Sequence, residues 1–203
     1  MEAIKEIVVI GPESTGKSTL CEKLASHYNT LWVPEYAREY LEKNGVEYNY
    51  DDLLTIAKEQ LESEEGIRYQ VSGKSNQSAI SSQQLDSNSP FTSHYSLLFI
   101  DTDLYVIKVW AEFVFNKCQK WILNRIAERK YDLFLLCDVD LPWVEDELRE
   151  YPDKKTREKL FLFYKELMVN QSTPWCTISG NYEERFEKAV AFIEASIAQR
   201  IPL

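Results

Sequence analysis

Gly11-Pro12-Glu13-Ser14-Thr15-Gly16-Lys17-Ser18 has the form GxxxxGK[ST] in full. Each element of that spacing has a chemical use. Two glycines let the backbone curl until successive N–H groups converge on one anion, and the helix that opens at Gly16 adds its positive end. Lys17 has the reach to meet β- and γ-phosphates, and the Ser18 hydroxyl is placed to hold Mg²⁺. Thr19 supplies a further hydroxyl near the α-phosphate, and Glu13, Ser14 and Thr15 complete the nucleotide-binding stretch. The expected cofactors are therefore ATP and Mg²⁺.

Carboxylates follow several short apolar runs. Asp101 ends Leu98-Phe99-Ile100, where a carboxylate beside a phosphate loop holds Mg²⁺ or its waters. Asp103 is open to two readings, a second acid at the site or the cap of a helix starting at Leu104. Glu35, in Val33-Pro34-Glu35-Tyr36-Ala37-Arg38, is the candidate to orient a substrate hydroxyl or take its proton. Arg38, one helical turn later, can pair with Glu35 or meet the transferred phosphate. Asp138 and Asp140 read as turn and cap residues. Arg149 is the candidate cation over the γ-phosphate, carried on a mobile segment. Lys154, Lys155 and Arg157 stand in mixed charge with Asp153 and Glu158 and read as a solvated helix face. Trp32, Tyr36, Trp110 and Trp143 are the aromatics from which the wall of a pocket for a flat ring is expected.

These residues need a scaffold, and the apolar pattern supplies one. Five short continuous apolar runs read as strands: Glu6–Ile10, Thr30–Val33, Leu97–Ile100, Asp132–Cys137 and Trp175–Ile178. Continuous rather than alternating runs belong to strands buried on both faces, as in a parallel sheet covered by helices. Helical segments lie between them: Lys17–Tyr28, Tyr36–Lys43, Asp51–Gly66, one or two helices over Leu104–Ala127, Thr156–Val169, and a last helix from Asn181. Asn181 and Glu184 have capping-box spacing. Alternating strands and helices indicate an α/β fold. Val71–Ser96, with nine serines and little apolar periodicity, reads as a flexible insertion in a single domain spanning residues 1–203.

Composition sets the outer bounds. The chain has 203 residues, about one domain by length, with 44% hydrophobic and 28% charged residues. A net charge of −10 argues against coating nucleic acid or an anionic membrane, which both need a broad cationic surface. The expected partner is a small molecule, and no feature of the sequence sets an oligomeric state. There is no apolar run of membrane-spanning length and no basic, apolar leader at Met1. Cys21 and Cys118 lie in helix-like sequence, Cys137 and Cys176 in strand-like sequence, without CxxC spacing, which fits buried free thiols and a cytoplasmic location.

Four blocks together resemble the kinase domain of NadR-type proteins: Gly11 through Leu20, Val33-Pro34-Glu35-Tyr36-Ala37-Arg38-Glu39, Phe99-Ile100-Asp101-Thr102-Asp103, and Leu141-Pro142-Trp143-Val144-Glu145-Asp146-Glu147-Leu148-Arg149. The resemblance runs over nearly the whole chain apart from the serine-rich stretch. It implies a three-layer P-loop NTPase fold with a five-stranded parallel sheet ordered 2-3-1-4-5 and helices on both faces. It also implies transfer of the ATP γ-phosphate to the ribose 5′-hydroxyl of nicotinamide riboside, with Lys17, Glu35, Arg38, Asp101 and Arg149 in the catalytic roles. There are two departures. The family's Asp-Asp-Gly-Leu-Arg is here Glu145-Asp146-Glu147-Leu148-Arg149, with the glycine replaced and the arginine kept. NadR proteins also carry a nucleotidyl-transfer domain before the kinase, and this sequence does not begin with one, which leads to the expectation of a stand-alone kinase. The alternatives are a P-loop kinase for another nucleoside or vitamin-like alcohol, and an ATP-binding regulatory ATPase.

Overall fold

The computed structural model describes residues 4–72 and 96–198. Among these residues five parallel strands form one sheet: β1 Ile4–Ile10, β2 Trp32–Val33, β3 Ser96–Asp101, β4 Leu133–Cys137 and β5 Trp175–Ile178. Their order is β2-β3-β1-β4-β5. The register sets Val9 beside Asp101 and Leu135, so the C-terminal ends of the central strands finish together. Ligands of such sheets bind beyond those ends.

Among the described residues seven helices accompany the sheet: α1 Lys17–His27, α2 Tyr36–Asn44, α3 Tyr50–Val71, α4 Leu104–Phe115, α5 Lys120–Glu128, α6 Lys154–Val169 and α7 Tyr182–Ala198. Side chains of a strand alternate between faces, and the continuous apolar runs divide accordingly. Ile7, Val9, Phe99 and Leu135 meet Leu20 and Leu24 of α1 and Ile193 of α7 on one face. Val8, Ile10, Leu98, Ile100 and Leu136 meet Val106 and Val109 of α4 and Leu160 and Met168 of α6 on the other. A third cluster is helical, with Ile56 of α3, Ile107 of α4 and Ile122 of α5 all buried.

The elements differ from the sequence reading mostly at their ends. Of the one or two helices expected over Leu104–Ala127 there are two, because Asn116 takes a left-handed conformation with φ 54° that stops α4. Cys118 consequently lies between helices rather than within one. Helix α3 starts at Tyr50 on a capping box of Asn49 and Asp52, and runs on through Val71. Residues 73–95 of the serine-rich stretch lie outside the described residues. The four cysteines are free, with Cys21 and Cys137 buried and the others half-buried. No helix among the described residues is long and apolar enough to cross a membrane.

Candidate active site

Strand β1 ends at Ile10 and the chain turns sharply before α1 begins at Lys17. Gly11 makes this turn at φ 141°, and a Cβ there would lie 2.7 Å from the carbonyl oxygen of Cys137. Gly16 sits at φ 76°, packed against Leu141 and Tyr182. Both conformations favour glycine, and at Gly11 the backbone also leaves no space for a Cβ. Inside the loop the Pro12 carbonyl accepts from the Thr15 hydroxyl at 2.7 Å and from the Lys17 ammonium at 3.1 Å. The loop therefore holds its own cation ready on a backbone acceptor.

A cavity of about 460 Å³ opens over this loop. Every residue from Gly11 to Thr19 lines it, and so do Glu35, Arg38, Asp101 and Arg149. The fold thus brings the phosphate-loop residues and the four candidates Glu35, Arg38, Asp101 and Arg149 to one cavity. Glu35 stands at the start of α2, half-buried, with no capping bond from its side chain. Asp101, fully buried, ends β3. Burial, and next the neighbouring Glu35 carboxylate, push the Asp101 carboxyl up to about 6. Its partners are the Ser18 hydroxyl and, at 3.4 Å, the Thr102 hydroxyl, while its Oδ2 has no hydrogen-bond partner. An orphaned buried carboxylate oxygen beside the Ser18 hydroxyl suits a hard divalent cation. Among the described residues no cluster of three or more His, Cys, Asp or Glu side chains converges.

Thr102 carries the cost of this arrangement. It is β-branched, 1% exposed, and held at φ 69°. Left-handed backbone at such a residue is strained, and here it separates two inward-facing acids. Asp103 resolves to the cap: its carboxylate accepts from the N–H groups of Tyr105 and Val106 at the start of α4, and it does not line the cavity. Asp138 and Asp140 are turn residues, accepting from Val139 N–H and from Gly180 N–H.

The segment after β4 folds over the phosphate loop. The Glu13 carboxylate accepts from the backbone N–H groups of Glu150, at 3.0 Å, and Tyr151. The Ser14 hydroxyl accepts from Val144 N–H at 3.1 Å and from Arg149 at 3.4 Å. Arg38 corrects one expectation. Its guanidinium pairs with Asp146 at 2.6 Å and with Glu42 at 3.5 Å, not with Glu35, because the folded segment brings an acid to its exposed side. Glu147, at the family's glycine position, is not among the residues with positive φ, so the replacement needs no unusual backbone.

The cavity is also lined by aromatic and aliphatic side chains, among them Trp32, Val109, Trp110, Phe113, Tyr151 and Tyr164. Trp110 is fixed by a 2.7 Å bond from its indole N–H to Tyr48, whose hydroxyl donates to Glu150 at 3.0 Å. Phe113 meets Tyr151 edge-on at 5.4 Å. Tyr36 and Trp143 do not line the cavity. Trp143 lies instead beneath two guanidinium groups, Arg157 at 5.1 Å and Arg149 at 5.8 Å. Arg157 is therefore not on a solvated face: it is 3% exposed, with Nε and Nη1 unpartnered. Lys154 does lie on that face, paired with Glu158 across one turn. A second buried arginine, Arg185 of α7, bonds to the phosphate loop and was not a candidate from the sequence. Its only sequence signal is a charge beside the apolar stripe of α7.

A family model described as an AAA domain matches residues 6–185. The trifunctional NAD biosynthesis/regulator protein NadR of Escherichia coli (strain K12) is 24% identical over 97% of this chain. Its counterpart in Salmonella typhimurium (strain LT2) is 23% identical over the same share. The chain spans 44% of the length of each, less than half of these relatives. Two solved structures share the fold. The NadR protein in complex with NR superposes with a TM-score of 0.68 at 20% identity, covering 98% of this chain and 51% of that one. The NadR protein in complex with NAD and AMP-PNP gives 0.65 at 22%, with the same coverage. The chain belongs to the AAA domain family, and it is similar to NadR proteins over nearly its whole length.

Proposed function

We propose that the chain is an ATP-dependent kinase that transfers the γ-phosphate to the ribose 5′-hydroxyl of nicotinamide riboside, giving nicotinamide mononucleotide. One observation carries this reading. A single cavity joins a phosphate loop, two carboxylates and an aromatic chamber. A donor nucleotide and a ring-bearing alcohol can therefore share it, with the acids on the same walls. The nicotinamide ring of the riboside is a flat cation, and aromatic walls such as Trp110 and Phe113 suit it by stacking and cation–π attraction. The NadR relatives named for NAD biosynthesis, and the neighbour bound to NR, support the same acceptor.

In this reading the backbone N–H groups of Gly11 to Thr19 and the Lys17 ammonium hold the phosphates. Ser18 and Asp101 would hold Mg²⁺, which when bound neutralises phosphate charge. Glu35 orients the 5′-hydroxyl and takes its proton. Arg149, anchored over the loop at Ser14, places its charge beside the transferring group. Arg38 adds a cation to the wall while its bond to Asp146 keeps the covering segment down. Little covalent work falls to the protein, and rate comes from positioning and charge.

ADP release with Mg-ATP, measured with and without nicotinamide riboside and against a panel of other nucleosides, tests the proposal. Strong stimulation by nicotinamide riboside above the panel is expected. Stimulation by a different nucleoside alone would replace the acceptor, and no stimulation by any would remove the kinase reading.

A further inference from the structure

Arg185 is the largest of the fully buried side chains, with 2% of it exposed. Burying a guanidinium is costly, and least so where all of its donors are satisfied. Here three separate segments satisfy them. Nε donates to the Gly180 carbonyl at 2.8 Å, Nη1 to the Thr15 carbonyl at 3.0 Å, and Nη2 to the Asp138 carbonyl at 2.9 Å and to the Asp140 carboxylate.

The Thr15 contact has a consequence for the anion cradle. A trans peptide is planar, with its C=O and N–H on opposite sides. No cis peptide occurs among the described residues. Fixing the Thr15 oxygen on Arg185, beneath the loop, turns the N–H of the same peptide, that of Gly16, away from Arg185. Gly16 lines the cavity. Gly16 at φ 76° has many conformations open to it, so an outside anchor is what selects one. The same guanidinium holds the turn before α7 through Gly180, whose N–H is also held by Asp140. Tyr182, the first residue of α7 after that turn, packs against Gly16.

We propose that Arg185 is a positioning residue for the nucleotide: its fork of donors fixes the Thr15–Gly16 peptide so that Gly16 N–H is presented to phosphate, and Asp140 holds the fork in place. It touches neither substrate. The proposal rests on the nucleotide-binding reading of the cavity, and it separates the nucleotide end of the site from the acceptor end. Lysine keeps the charge but offers one donor centre in place of the planar fork, so it cannot reach three carbonyls in this geometry.

The experiment compares wild type, Arg185→Lys and Asp140→Asn for Mg-ATP dissociation constant, KM for ATP, KM for nicotinamide riboside, kcat and thermal unfolding. Below its unfolding midpoint, Arg185→Lys is expected to weaken ATP binding by about tenfold or more, the scale of a lost charged hydrogen bond. The acceptor KM is expected to stay within roughly twofold, because none of the Arg185 partners lies in the aromatic chamber. Asp140→Asn, which keeps an oxygen for Gly180 N–H but loses the charge, is expected to weaken ATP binding by about threefold with the same selectivity. A merely structural role would lower the folded fraction, so that kcat falls with both KM values unchanged, and that result overturns the proposal. So does unchanged ATP affinity in either variant. Asp140→Asn decides the matter alone if Arg185→Lys does not fold. Failure of wild type to bind Mg-ATP would instead overturn the nucleotide reading on which the proposal stands.

Discussion

A carboxylate facing an alcohol can orient it, accept its proton, or do both, and Glu35 lines the cavity beside Asp101 with its side chain free of capping duty. Replacing it by glutamine keeps shape and removes the base. Glu35→Gln is expected to lower kcat by about 10²- to 10⁴-fold, the range for a general base, with the Mg-ATP dissociation constant unchanged. Unchanged turnover would take Glu35 out of the mechanism. Gly11 tests the loop in a different way. Gly11→Ala places a Cβ 2.7 Å from the Cys137 carbonyl at a φ that L-residues rarely adopt, so a loss of about 1–3 kcal/mol is expected in urea unfolding. Wild-type stability in that variant would mean that β1 and β4 do not approach so closely. At this scale the phosphate loop was legible because its chemistry demands residue types at fixed spacing. Arg157 and Arg185 were not, because each sits in a helix of mixed charge, where a buried and a solvated arginine have the same local pattern. Only the tertiary partners, Trp143 for one and the Thr15 carbonyl for the other, tell them apart.

At the scale of elements, the segment from Trp143 to Tyr151 has almost no regular structure and is held by side chains of the phosphate loop. Glu13 takes two of its backbone N–H groups, and Ser14 takes one more together with Arg149. Glu13→Ala leaves those N–H groups without their acceptor. Amide exchange across residues 144–151 is then expected to accelerate by about tenfold or more while β1 and β4 stay protected. Equal exchange in both proteins would show that the segment is held by something other than Glu13. Helix α3 carries a different device. Glu64, buried, pairs with Arg129 at 2.6 Å and accepts from Tyr131 at 3.1 Å. Burial outweighs Arg129, and the carboxyl is pushed up to about 8. The folded chain then holds a proton that the unfolded chain gives up near 4.5, so this group's contribution to stability declines as pH rises from about 4.5 to about 8. Glu64→Gln is expected to flatten the fall of the unfolding midpoint across that range. A parallel curve for the variant would assign the slope elsewhere. The strands were legible because burial on both faces leaves uninterrupted apolar runs. The break between α4 and α5 was legible only as one of two readings, since it depends on a left-handed Asn116 ahead of Lys117-Cys118-Gln119-Lys120, a stretch that a continuous helix could also contain.

For the whole molecule, the parallel sheet explains why residues distant in sequence act together. The C-terminal ends of β1, β2 and β3 deliver the phosphate loop, Glu35 and Asp101 to one edge, and the chain after β4 returns across them with Arg149. The order β2-β3-β1-β4-β5 makes β1 the centre, so the phosphate loop has carboxylates on one flank and the covering segment on the other. This layout was legible from the resemblance rather than from periodicity, which orders elements along the chain but not across a sheet. The aromatic chamber was legible only in part: Trp32 and Trp110 reach it, whereas its other walls, Phe113, Tyr151 and Tyr164, came from helix faces and the covering segment with no marking motif. If one cavity holds donor and acceptor together, the γ-phosphate passes directly from one to the other. The most direct test is incubation with Mg-ATP labelled in its γ-phosphate and nicotinamide riboside, with the products separated by chromatography. The account predicts label in nicotinamide mononucleotide, in step with ADP. Label found only in inorganic phosphate, at a rate indifferent to the riboside, would contradict it.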